Sequence, residues 1–135
     1  MSGGGRIFLY GTLRRGGSRD ATRFYDGVEF VAPARVRGVL VDFGEYPGLR
    51  LDAAAGWVAG ELFDVTPGAL AGLDEWEGID PAAPDAGEYR RVRATVERAD
   101  GVAEECWIYE ARASACAGRP AIPGGDWIAH VGARS

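Results

Sequence analysis

Two places in the chain carry residues that could do chemistry: Glu77, at the end of a leucine-bearing segment, and the glycine- and arginine-loaded turn Gly11-Thr12-Leu13-Arg14-Arg15-Gly16-Gly17. At the helical rotation of about 100° per residue, Leu70, Leu73 and Glu77 fall in one narrow sector, so Glu77 points where the leucines point. Asp74 lies at the margin of that sector, and Glu75 points away into solvent. A carboxylate on an apolar face at a helix C-terminus loses hydration and meets the negative end of the helix dipole. Both effects raise its pKa, the condition for a general acid or base near neutral pH. A polar residue at a frayed helix end satisfies the same phase. In the turn, Gly11, Gly16 and Gly17 let another molecule approach the main chain, and successive amides turned inward would make an anion-binding concavity. An ordinary solvated loop is the alternative. The glycine spacing is that of a P-loop, but Gly17 stands where the phosphate-binding lysine belongs, which argues against a nucleotide.

These groups need elements to hold them. Ile7-Phe8-Leu9 is a buried strand that delivers the turn. Thr66-Pro67 starts a helix and Gly78 stops it. Trp57 to Val65 is a strand with Trp57, Ala59, Glu61, Phe63 and Val65 on one face, where Glu61 is either functional or hydrogen-bonded for structural reasons. Val28 to Phe43 is extended but interrupted by Pro33 and Gly38, which predicts two pieces or one bent strand. Positions 44–48 read as a turn, and its Tyr46 either lines a site or covers the edge of the core. Leu49 to Leu51 is a short strand and 52–56 a turn. Tyr89 to Arg98 alternates, with Val92, Ala94 and Val96 on one face. Asp100-Gly101 turns it into Val102 to Tyr109, whose Trp107 and Tyr109 share a face toward pocket or core. Asp20 to Tyr25 could form a helical turn or two, with Ser18 or Asp20 as N-cap and Phe24 or Tyr25 packing inward. Ile79 to Gly87 is a surface loop. Residues 1–5 read as a flexible leader and 111–135 as a wrapping tail anchored by Trp127, with His130 on the surface.

The 135 residues form a single domain, 1–135, large enough for a real core, and 21 glycines favour a β-rich fold over a helical bundle. The arginine cluster of Arg14, Arg15, Arg19 and Arg23 would suit nucleic acid, but the net charge of −5 does not. There is no apolar run for a membrane span or a signal peptide, so the expected location is the cytoplasm, with no membrane partner. Cys106, Cys116 and a single histidine support neither a disulfide framework nor a metal set. No metal and no cofactor are expected. Oligomeric state is left open.

With both places in hand, the chain resembles the gamma-glutamylcyclotransferase-like family, which includes the gamma-glutamylamine cyclotransferases and AIG2-like proteins. The matching segments are Phe8-Leu9-Tyr10-Gly11-Thr12-Leu13, Tyr46-Pro47-Gly48, Gly60-Glu61-Leu62-Phe63, Leu73-Asp74-Glu75-Trp76-Glu77-Gly78, Tyr89-Arg90-Arg91, Trp107-Ile108-Tyr109 and Gly125-Asp126-Trp127. The resemblance implies an α+β fold, a small mixed β-barrel flanked by short helices. It places Tyr10, Gly11, Thr12 and Leu13 in a loop that binds the α-carboxylate and amine end of the substrate, and Glu77 at the position of the catalytic acid/base. The family often has serine where this chain has Thr12, and the hydroxyl is kept.

The implied substrate is a small γ-glutamyl amide whose own α-amine attacks the γ-carbonyl, closing 5-oxoproline and expelling an amine. Tyr46 and Tyr109 are added as candidate binding residues, with loop N–H groups or Tyr109 as candidate oxyanion donors. A non-catalytic module holding an anionic metabolite on the same barrel is the competing reading. A domain with no ligand is a third.

Overall fold

The structure is a computed structural model that describes residues 5–83 and 86–134. The elements in chain order are β1 (Gly5–Leu9), α1 (Ala21–Phe24), β2 (Val28–Asp42), β3 (Pro47–Leu51), β4 (Trp57–Val65), α2 (Pro67–Trp76), β5 (Tyr89–Arg98), β6 (Ala103–Ala111), α3 (Ala113–Cys116) and α4 (Trp127–Arg134). The sheet order is β3-β2-β4-β1-β6-β5, and β2 also pairs with β5 through Ala34–Arg98 and Arg35–Glu97. That last pairing closes five strands into a barrel and leaves β3 as an extra strand on β2. All pairings are antiparallel except β1 with β6, so the barrel is mixed.

Strand alternation divides the core in two. Phe8, Val36, Val58, Leu62, Val96, Cys106 and Ile108 come from all five barrel strands and fill the interior, with Trp127 of α4 joined to them. Ile7, Leu9, Phe63, Val65 and Tyr109 face the other way. They meet Ala21 of α1 and Ala69, Leu70 and Leu73 of α2. The helices therefore cover the outer face of β4-β1-β6, and that face carries the site.

Several expectations change in detail. Val28–Asp42 is one bent strand, and its register shift falls between Phe30 and Ala32 rather than at Pro33 or Gly38. Pro47 and Gly48 belong to β3 rather than to the preceding turn. Asp20 is the N-cap of α1, accepting from the Thr22 amide at 3.0 Å, and Tyr25 packs inward while Phe24 stays exposed. Gly5 is the first residue of β1; the rest of the expected flexible leader, residues 1–4, lies outside the described residues. The stretch read as a wrapping tail contains the end of β6 and two helices, with Trp127 buried as an anchor. His130 is not a bare surface residue: its Nε2 lies 2.8 Å from Asp42 Oδ2, which ties α4 to the end of β2. No helix of the described residues is long and apolar enough to cross a membrane.

Candidate active site

The glycine-arginine turn leaves β1 at Tyr10 and is held from three sides. Glu61 of β4 accepts the Arg15 amide at 2.9 Å and pairs with its guanidinium, Asp20 accepts the Gly16 amide at 2.9 Å, and Arg14 pairs with Asp126 at 3.0 Å. Main-chain bonds engage the amides of Arg14, Gly17, Arg19, Asp20 and Ala21. Among the described residues, the amides of Gly11, Thr12 and Leu13 donate to no other group. Gly11 is required by space, since a Cβ there would come within 2.7 Å of the Pro47 ring. Those unengaged N–H groups belong to residues that line a cavity of about 710 Å³.

Glu77 enters the same cavity from the end of α2. The helix begins at Thr66, whose Oγ1 accepts from the Ala69 amide at 3.2 Å, with Pro67 in the first turn. It ends in a Schellman motif: Gly78, with φ of 76°, donates to Glu75 O at 3.0 Å, and Ile79 donates to Asp74 O at 2.9 Å. Leu70 and Leu73 are buried against β1 and β4, and this phase carries the half-buried Glu77 toward the cavity while Glu75 is exposed. Burial, then the negative charges of Asp74 and Glu88, push the Glu77 carboxyl from 4.5 up to about 7.

The remaining polar groups of the wall are largely taken. Tyr10 Oη donates to Tyr109 O at 2.6 Å, Tyr89 Oη to Pro47 O at 2.6 Å, Tyr46 Oη to Glu88 at 2.9 Å, and Tyr109 Oη to Asp74 at 2.7 Å. Burial raises the Tyr10, Tyr89 and Tyr109 hydroxyls well above the ordinary phenol range, so they act as rigid walls. Asp74 is further paired with Arg91 at 2.9 Å. Glu77 is different: among the described residues no hydrogen bond or ion pair reaches its carboxylate.

Tyr10, Gly11, Thr12, Leu13, Tyr46, Glu77 and Tyr109 thus line one cavity. Tyr109 is there as a wall whose proton goes to Asp74, so it has none to offer an oxyanion. Glu61 lies off the cavity as the anchor of the turn. Arg19, Trp76, Glu88 and Tyr89 also line the cavity; Trp76 and Tyr89 fall in segments that carry the family resemblance, but none of the four was expected as a site residue. Glu88 sits at the mouth of an irregular loop, where no periodicity indicates direction. The arginine cluster is not a free basic patch: Arg14 and Arg15 face carboxylates, and Arg19 lies on the rings of Phe24 and Trp76.

Residues 7–129 match the family model described as gamma-glutamyl cyclotransferase, AIG2-like. A protein of Halalkalibacterium halodurans named "Putative gamma-glutamylcyclotransferase" is 38% identical over 96 residues, which is 69% of this chain and 80% of that one. Among solved structures, an AIG2-like protein from Mus musculus superposes with a TM-score of 0.68 at 22% identity, over 93% of this chain and 95% of that chain. YkqA from Bacillus subtilis superposes with a TM-score of 0.72 at 20% identity over 98% of this chain. This chain spans only 44% of YkqA. At these identities the two structures speak to the fold alone.

Proposed function

The chain belongs to the gamma-glutamyl cyclotransferase, AIG2-like family, and we propose that it cleaves a small γ-glutamyl amide by attack of the substrate's own α-amine on the γ-carbonyl. The carbon–nitrogen bond of a five-membered lactam forms, the amide bond to the other half breaks, and 5-oxoproline and a free amine leave. The observation that carries the reading is the pairing, in one cavity, of an unengaged carboxylate with a pKa near 7 and a run of unengaged backbone amides.

Each part has a task. The Gly11, Thr12 and Leu13 amides receive the α-carboxylate, which fixes the carbon bearing the amine. Holding amine and carbonyl in line replaces a chance encounter within a flexible chain, an effect that can contribute about 7–11 kcal/mol. Glu77 takes a proton from the α-ammonium, which makes the nitrogen nucleophilic, and returns one to the departing amine. A carboxyl titrating near 7 is suited to both directions. Tyr10, Tyr89 and Tyr109, locked by their own hydrogen bonds, shape the walls and keep water from the amide. Because the nucleophile belongs to the substrate, the reaction asks for no serine, cysteine, metal or cofactor from the protein, and we place it in the cytoplasm.

Incubation with a panel of γ-glutamyl amides and chromatographic detection of 5-oxoproline tests the reading. Release of 5-oxoproline that is lost in Glu77→Gln supports it. Saturable binding of the same compounds without turnover would make this a binding module on the same barrel.

A further inference from the structure

The cavity has a closed end and an open one. Leu9, Tyr10, Leu13, Pro47, Tyr89 and Tyr109 are buried, whereas Ser18, Glu45, Tyr46, Trp76 and Glu88 are exposed. With the glutamyl half at the amides of Gly11 to Leu13 and its amine at Glu77, the amine half must project toward the exposed rim. Among the described residues, Arg19 is the cation that lines this cavity, and it is half-buried, between the two groups in exposure.

Arg19 is held between two aromatic rings. Its guanidinium carbon lies 4.2 Å from the centre of the Phe24 ring and 4.1 Å from that of Trp76, the residue next to Glu77. Its Nε is buried and without a hydrogen-bond partner. The neighbouring Arg14 and Arg15 each have a carboxylate; among the described residues Arg19 has none. Nor is Arg19 among the groups that shift Glu77, which burial, Asp74 and Glu88 account for. Two aromatic faces thus hold a planar fork of donors with little freedom left to lose, in the wall of the cavity that Glu77 also lines, with no anion among the described residues to satisfy it. Arranged in this way, a guanidinium is prepared to receive a carboxylate from outside.

We propose that Arg19 is the specificity-determining residue for the amine half, and that it selects γ-glutamyl substrates whose amine half carries a carboxylate over those with an uncharged alkylamine. The inference rests on the cyclotransferase reading above. Glu88 and Glu45 on the exposed rim sharpen the selection, since an anion that does not reach Arg19 meets their like charge.

γ-Glutamyl-L-alanine and γ-glutamyl-ethylamine differ by that single carboxylate and make the test direct. The readout is the ratio of kcat/KM for the two substrates, measured by 5-oxoproline release, in the wild type, Arg19→Gln and Arg19→Lys. A charge-assisted hydrogen bond supplies a preference of about 10- to 100-fold for the alanine compound in the wild type. In Arg19→Gln that ratio should collapse toward one, and in Arg19→Lys it should fall between the two because the charge survives without the planar fork. Wild-type turnover with no preference overturns the assignment and leaves the cyclotransferase reading standing. So does an Arg19→Gln variant that loses both substrates in equal proportion, which would place the guanidinium on the glutamyl half. Absence of 5-oxoproline from both compounds in the wild type overturns the cyclotransferase reading and this inference with it.

Discussion

Replacing Glu77 by glutamine should stabilise the protein, and only above a definite pH. The carboxyl titrates near 4.5 when exposed and near 7 in the fold, because burial and the charges of Asp74 and Glu88 disfavour its ionised form. Below pH 4.5 the group is neutral in folded and unfolded chains alike and costs nothing. Between 4.5 and 7 the unfolded chain ionises while the folded one resists, so stability falls as pH rises. Above 7 the whole penalty is present. A shift of that size corresponds to a ceiling of about 3 kcal/mol, and solvent reaching a half-buried carboxylate reduces it to about 1–2 kcal/mol. Glutamine keeps the shape and removes the charge. In a domain of this size the gain should appear as a rise in Tm of about 3–8 °C at pH 8 and almost none at pH 4.5, read by thermal melts of both proteins at both pH values. Titrating groups that do not interact with Glu77 are common to the two proteins and cancel in the difference, while Asp74 and Glu88, relieved of its charge, share in the gain above pH 7. A variant destabilised at pH 8, or a difference independent of pH, would mean that Glu77 is engaged by a partner and that the picture of a strained, available base is wrong.

Since the base must be ionised to accept a proton, kcat/KM should rise with pH through about 7. Glu88→Gln, which removes one of the like charges acting on Glu77, should move that limb to lower pH. A limb that stays in place would remove Glu88 from the electrostatics of the site. Glu61→Gln weakens the anchor of the turn at the Arg15 amide and guanidinium, so it should lower stability by about 1–3 kcal/mol and raise KM without moving the pH limb. A urea melt alongside initial rates checks both parts. Dialysis against EDTA should leave turnover unchanged, because neither the nucleophile nor the proton carrier depends on a metal. Activity lost to EDTA and restored by a divalent ion would refute this.

Local signals in the sequence served well where one element determines the answer. The helix that aims Glu77 was legible from Thr66-Pro67, from the Leu70–Leu73 spacing and from Gly78, because caps and phase are properties of a dozen contiguous residues. The boundaries of β4 and β5 followed from alternation for the same reason. Pairings between distant segments were not legible. Nothing in Ile7-Phe8-Leu9 announces a parallel partner in β6, and nothing in Ala34 announces that it closes a barrel against Arg98. The site inherits that limit. Glu77 and the turn could be found separately, but Glu88, Tyr89 and Arg19 become neighbours of the cavity only once the barrel closes. The helix α4 was hidden by the Gly- and Pro-rich stretch before it, where composition pointed to irregular backbone until Asp126 and Trp127 began a new turn. The proton of Tyr109 could be assigned to Asp74 only when β6 was seen lying against α2.

In the proposed reaction the substrate's own amine, and not water, breaks the amide. Turnover of a γ-glutamyl amide in water enriched in oxygen-18, followed by mass spectrometry of the acyl product, tests it directly. Intramolecular attack yields 5-oxoproline with no label, because no solvent oxygen enters the lactam. Glutamate carrying one oxygen-18 in its γ-carboxylate would show that the site activates water instead, and would contradict the assignment of the α-amine as nucleophile.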